Sequence, residues 1–122
     1  MPQIWTLGGP KKRTQFRYSG SVRLGVTLLF KRPTCVCAQF LAAILDRFGG
    51  RVIPGGFSMT APTPEGLGEW VQENSPRLNT VQLTPRHASF IAAILVDEGC
   101  ATSSLKGNAV YLQFASVKPG HA

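Results

Sequence analysis

One stretch of this chain occurs twice. Residues 34 to 49 read TCVCAQFLAAILDRFG, and residues 84 to 99 read TPRHASFIAAILVDEG. In register, Thr34, Ala38 and Phe40 match Thr84, Ala88 and Phe90. Ala42, Ala43, Ile44, Leu45 and Gly49 match Ala92, Ala93, Ile94, Leu95 and Gly99, giving eight identities in 16 positions. A repeat at this spacing in a chain of 122 residues points to two similar halves. The alternative is that two amphipathic helices draw on the same apolar alphabet. In both copies the apolar residues recur at the spacing of one helix face: Ala38, Leu41, Ala42 and Leu45, then Ala88, Ile91, Ala92 and Leu95. Thr34 and Thr84 predict N-caps, and Pro85 suits a first helical turn. Gly49-Gly50 and Gly99 predict the left-handed stops.

The flanks read as strands. Phe16 and Tyr18 alternate with Gln15 and Arg17, and Val22, Leu24, Val26 and Leu28 alternate with Arg23, Gly25 and Thr27. Ser19-Gly20-Ser21 predicts a turn or bulge. Residues 51 to 59 predict a short strand broken at Pro54-Gly55-Gly56. A short helix around Glu65 to Gln72 would be anchored by Trp70. SPRLNTVQL, residues 75 to 83, echoes SVRLGVTLL, residues 21 to 29, and so reads as the strand that opens the second unit. After Ala101 to Ser104 and a Lys106-Gly107-Asn108 turn, Ala109 to Phe114 alternates as a last strand. The expected fold is α+β. Residues 15–116 form a single domain, in which repeated β-α-β units at about 21–59 and 75–114 build one mainly antiparallel sheet. The two helices pack on one face, side by side and related by a pseudo-twofold axis. Residues 1–14 are a basic N-terminal arm and residues 117–122 a tail.

Charge narrows the function classes. Thirteen Lys and Arg against six acids give a net +7. Residues 1–33 hold Lys11, Lys12, Arg13, Arg17, Arg23, Lys31 and Arg32 and no acid. A one-sided basic field favours a polyanionic partner, with a merely solvated basic surface as the alternative. A period of two places Arg17, Arg23 and Thr27 on related polar faces, which suit a nucleic-acid-facing sheet or a solvent face. No apolar run approaches a membrane span, so no membrane partner is expected. The opening MPQIWTLGGPKKR lacks the charge-then-apolar order of a secretory signal. Cys35, Cys37 and Cys100 are odd in number and poorly spaced for zinc, so reduced thiols in an intracellular compartment, cytoplasmic or organellar, are expected.

Catalytic chemistry has little to stand on. His87 and His121 are the only histidines, and no nucleophile–base pairing is evident locally. The glycine-rich pieces match neither a P-loop nor a dinucleotide fingerprint. Cys37 and His87 occupy equivalent repeat positions. Asp46, Asp97 and Glu98 fall at helix C-termini, against the helix dipole. They fit either a hard-cation site or exposed acids at frayed ends.

The repeated stretch resembles a known family. LAAILDRFG (Leu41 to Gly49) and IAAILVDEG (Ile91 to Gly99) look like degenerate forms of the motif that names the LAGLIDADG homing endonucleases. The resemblance implies motif helices packed through small residues, here Ala42-Ala43 and Ala92-Ala93. It also implies an acid before the final glycine that holds the catalytic magnesium. Glu98 stands at that position in the second copy, and Phe48 replaces the acid in the first. A second alignment to the same family matches its DNA-binding strands and following helices to RLGVTLLFKRPTCVCAQFLAAILDRFGGRVI and VQLTPRHASFIAAILVDEGCATSSLKGNAVYLQF. On that alignment, over about residues 22–114, the resemblance implies a curved antiparallel sheet lying on nucleic acid with helices behind it.

The leading expectation is a non-enzymatic, basic nucleic-acid-binding protein that needs no cofactor. Its partner is RNA or DNA, and a ribosome-associated role in a ribonucleoprotein assembly fits. Phosphates would be met by Lys11, Lys12, Arg13, Arg17, Arg23, Lys31, Arg32 and Lys106. One alternative is an active or relic magnesium-dependent endonuclease with Glu98 as metal ligand. Another is an interaction protein whose helices bury a partner.

Overall fold

Alternation of apolar and polar residues sets the first half of the chain. In the computed structural model, residues 3–7, 14–57, 63–79, 81–106 and 109–115 are described, with only the backbone of Gln3 and Lys106. Strands β1 (Gln3–Trp5), β2 (Gln15–Ser21), β3 (Gly25–Leu28) and β4 (Thr34–Val36) form an antiparallel sheet in that order. Phe16, Tyr18, Val26, Leu28 and Val36 point into the core, while Gln15, Arg17 and Cys35 are exposed. This is the period of two that the sequence predicts. Gly20 lies in β2 at φ +88, opposite Val26. A Cβ there would run into the carbonyl oxygen of Gly25, so only glycine fits this close hairpin.

Helix α1 (Ala38–Phe48) follows β4 and leads to β5 (Val52–Pro54). It buries Phe40, Leu41, Ile44 and Phe48 on one side and leaves Ala42 exposed. Its N-cap is Cys37, while Thr34, predicted to cap it, is a residue of β4. The pairing of Thr34 with Leu28 takes it into the sheet first.

Helix α2 (Leu67–Leu78) precedes α3 (Pro85–Asp97), and the hairpin β6 (Ala101–Lys106) and β7 (Ala109–Phe114) closes the described chain. The short helix expected around Trp70 is therefore longer. It takes in Ser75, Pro76, Arg77 and Leu78, which the sequence reads as a strand. Leu67, Val71 and Ser75 are spaced at i, i+4 and i+8 and are fully buried, so a helical stripe overrides the local echo. Gly68 lets the start of α2 press on the loop before it. Its N–H donates to the Gly55 carbonyl at 2.8 Å, and a Cβ would strike the Gly56 carbonyl oxygen.

The class is α+β, but the architecture differs from one sheet under two helices. Two antiparallel sheets, β1-β2-β3-β4 and β5-β7-β6, share the core with three helices. Helix α1 connects the two sheets, since β4 belongs to one and β5 to the other. The repeat is thus not carried into equivalent β-α-β units. Nor do the repeated helices stand as a side-by-side pair, because α3 packs chiefly along α2. Residues Ala101 to Ser104, expected as a link, belong to β6 and pair along β7 from Ala101 opposite Phe114 to Lys106 opposite Ala109.

Two chains of aromatic rings join these layers. Trp70 of α2 lies 5.4 Å from Phe40 and 5.9 Å from Phe48, and Phe48 lies 5.6 Å from Phe114 of β7. On the other side, Phe90 of α3 meets Phe16 at 4.9 Å and Phe30 at 4.8 Å, both near edge-to-face. Such pairs add about 0.5–1.5 kcal/mol each beyond area burial. Six consecutive residues of α3, Phe90 to Leu95, are buried, so α3 is the centre of the molecule.

Candidate nucleic-acid interface

Helix α3 is defined sharply at both ends, and each end carries a different chemistry. At its start Thr84 Oγ1 accepts the His87 N–H at 3.4 Å, and His87 Nδ1 accepts the Thr84 N–H at 3.1 Å, a capping box. At its end the Gly99 N–H bonds to the Val96 carbonyl and the Cys100 N–H to the Leu95 carbonyl, with Gly99 at φ +80. This is a Schellman stop. A 13-residue helix holds its ends about 20 Å apart.

The C-terminal end is acidic. Tyr18 on β2 donates its hydroxyl to Asp97 Oδ2 at 2.8 Å and to Glu98 Oε2 at 3.2 Å. The Val22 N–H donates to Glu98 Oε1 at 2.9 Å. Burial of Tyr18, then the Asp97 and Glu98 carboxylates, hold its phenol far above the ordinary range. Both Glu98 oxygens are therefore engaged in fastening the β2–β3 hairpin to α3. That accounts for acids at this unfavourable helix end without a metal. Among the described residues no three His, Cys, Asp or Glu side chains gather as a cation site. Asp97 and Glu98, held by Tyr18 and Val22, fit a latch better than the magnesium site that the family resemblance implies.

The N-terminal end is basic. Arg86 is exposed in the first turn of α3. Arg17 follows Phe16 on β2 and is exposed. Its carbonyl receives the Leu29 N–H at 3.0 Å, so it lies beside the end of β3. Lys31 and Arg32 are exposed in the connection from β3 to β4. Between these elements is a cleft of about 440 Å³. Phe16, Leu29, Phe30 and Phe90 give it an apolar floor, and Thr14, Gln15, Arg86 and His87 are its polar groups. Among the described residues no carboxylate lines it.

The sequence-predicted cations do not all gather there. Arg17 is exposed on the outer face of β2, and Lys31 and Arg32 follow the cleft residue Phe30 in the chain and are exposed, but none of the three lines the cleft. Arg23 stands in the hairpin loop next to Val22, at the acidic end of α3. The backbone of Lys106 ends β6, and its side chain lies outside the described residues, as do Lys11, Lys12 and Arg13. Arg86 was not among the predicted contacts. The signal for it was its place directly after the Thr84-Pro85 helix start. The outer face of the four-stranded sheet carries Arg17, Ser19, Thr27 and Cys35, with Ser19 opposite Thr27 and Thr27 opposite Cys35. Trp5, 49% exposed, pairs with Gln15 on the same face.

The cysteines and His87 have separate employment. Cys37 donates its thiol to the Leu78 carbonyl at 3.1 Å and its N–H to Asn79 Oδ1 at 2.8 Å. Asn79 Nδ2 donates to the Cys35 carbonyl at 3.0 Å and to the Val81 carbonyl at 2.8 Å. This side chain pins the start of α1 to the α2–α3 link. His87 is held down from its ordinary pKa by burial and then by Arg86. Its ring is bound to Thr84, so the repeat-equivalent Cys37 and His87 serve different junctions. All three cysteines are free thiols.

Among the described residues no helix is long and apolar enough to cross a membrane. No family model, no curated protein and no solved structure matches the chain.

Proposed function

We propose that this protein binds nucleic acid without cleaving it, through phosphate contacts from the sheet face and the basic end of α3. The observation that carries the reading is the segregation of charge along α3. Arg86 is exposed in its first turn, and Arg17 on β2 and Lys31 and Arg32 after the cleft residue Phe30 are exposed as well, while Asp97 and Glu98 are at the other end. Among the described residues none of these four cations is tied up in an ion pair, which leaves them available to phosphates. Lys11, Lys12 and Arg13 precede Thr14 in sequence, and Thr14 lines the cleft at the same end. The chemistry suits RNA and DNA alike, as in a ribonucleoprotein component. Phosphate contacts of this kind give affinity rather than sequence choice.

The test is affinity for single-stranded RNA and duplex DNA across a salt series. Four phosphate contacts give a log–log slope of about −3.6 on duplex DNA and about −2.8 on a single strand. Arg17→Ala and Arg32→Ala should each flatten the slope by about one contact. A slope near zero rejects the reading. Magnesium-dependent nicking of plasmid that disappears in Glu98→Gln would instead favour the endonuclease.

A further inference from the structure

We infer that the cleft at the N-terminal end of α3 is a nucleotide site, taking one unstacked base on its phenylalanine floor and the attached phosphate at Arg86. The inference deepens the nucleic-acid reading and rests on it for the source of the base. Four features of the cleft support it.

The first is size. A cleft of about 440 Å³ lies within the range of small-ligand pockets and suits one nucleotide better than a peptide. The second is the floor. Phe16 and Phe30 both meet Phe90 near edge-to-face, at interplanar angles of 83° and 67°. Neither of these pairs is stacked flat, and the ring surface open to a planar guest is that of Phe30. Phe16 and Phe90 are buried, while Phe30 is only half-buried and supplies the accessible ring. Stacking on such a ring is tolerant of base identity.

The third is the arrangement of polar groups. His87 Nδ1 accepts from the Thr84 backbone, which leaves the proton of the neutral ring on Nε2. That N–H is the histidine edge left for a guest. The fourth is charge. Arg86 offers a bidentate fork to phosphate at the positive end of a helix dipole, and no carboxylate among the described lining residues opposes it. A neutral apolar guest would leave Arg86 and His87 without partners. A bare anion would leave the accessible Phe30 ring unused. A base joined to a phosphate satisfies both sets.

The same chemistry is presented by a free mononucleotide and by a nucleotide within a strand. The full chain is titrated with adenosine 5′-monophosphate, uridine 5′-monophosphate, ribose 5-phosphate and a short single-stranded RNA, and followed by NMR chemical shifts. Both mononucleotides should move the His87, Phe90 and Phe30 signals, with ribose 5-phosphate at least about tenfold weaker. Phe30→Leu, which keeps the floor apolar, should weaken mononucleotide binding about five- to tenfold. Arg86→Gln should weaken it too. If a strand is the source, the RNA binds more tightly than the mononucleotides and Phe30→Leu weakens both. If a free nucleotide is the source, joining units gains nothing. Ribose 5-phosphate binding as well as the mononucleotides overturns the base pocket, and so does an absence of cleft shifts at about 5 mM nucleotide. A steep salt slope without mononucleotide binding rejects the pocket and leaves the polyanion reading standing. Mononucleotide binding with a flat slope does the reverse.

Discussion

Replacing Tyr18 by Phe asks whether the acidic end of α3 is a structural latch. The change removes two hydrogen bonds to carboxylates, at 2.8 and 3.2 Å, and alters no apolar volume. Hydrogen bonds to charged groups contribute about 1.5–3 kcal/mol. Here the second bond is long, Asp97 and Glu98 are exposed enough for water to replace the phenol, and a buried Phe avoids the desolvation of the hydroxyl. The expected net loss is about 1.5–2.5 kcal/mol. For 122 residues the entropy of unfolding is ~0.26 kcal/mol/K, so Tm should fall by roughly 6–10 °C. The phenol adds a second test. Its pKa is raised in the folded state, so its contribution is complete below about pH 10 and is lost as pH rises further. Thermal melts of both proteins by circular dichroism, from pH 7 to pH 11, should therefore show a gap that narrows at the alkaline end. Taking the difference between the two proteins removes the titration of the lysines. A Tm within about 2 °C of the parent, or a gap that does not change above pH 10, refutes the latch.

Three further outcomes are expected. His87→Gln keeps a capping-box residue in the first turn but removes a titrating ring. His87 has a lowered folded pKa, so stability is complete above about pH 6.5 and declines as pH falls toward the folded value. Melts at pH 7.5 and pH 5.5 should show that part of the decline in the parent and not in His87→Gln. Ser75→Ala leaves the Leu83 N–H, which Ser75 Oγ accepts at 2.8 Å, without a partner in the core. It should cost about 1–3 kcal/mol by urea unfolding, with an unchanged m-value. Alkylation of the native protein should modify Cys35 first, by peptide mass analysis. Cys37 is half-buried and bonded to the Leu78 carbonyl, and burial followed by Glu98 pushes the Cys100 thiol up.

Elements whose signals are local were readable from the sequence. The Thr84 cap, Pro85, the stripe from Ala88 to Leu95 and the Gly99 stop define α3 without reference to the rest of the chain. The alternation of Phe16 with Tyr18 and of Val26 with Leu28 likewise defines the inner face of a sheet. What failed depended on tertiary context. SPRL at residues 75–78 shares letters with a strand, but Val71 and Ser75 bury it as the last turns of a helix. ATSSLK lacks large apolar residues at its start, and β6 exists because β7 offers six partners. Arg17, Lys31 and Arg32 were readable as cations but not as neighbours. The packing of the segment that ends at Phe30 against Arg86 and Phe90 depends on where α3 begins relative to the end of β3. The cleft was invisible for that reason too: Phe16, Phe30 and Phe90 come from three separated places in the sequence.

The two AAIL copies carry identical letters into unequal surroundings. Ala42 is exposed, whereas Ala92 and Ala93 are enclosed. The tolerance of the two copies to substitution is therefore unlike. At Ala42 a longer or charged side chain extends into water, and the position can drift. At Ala92 any added atom has to displace packed neighbours, so the alanine is held in place by volume. If the halves descend from one ancestral segment, their likeness should erode from the first copy inward. The surviving identity at Ala42 would then record common history, and that at Ala92 a packing requirement.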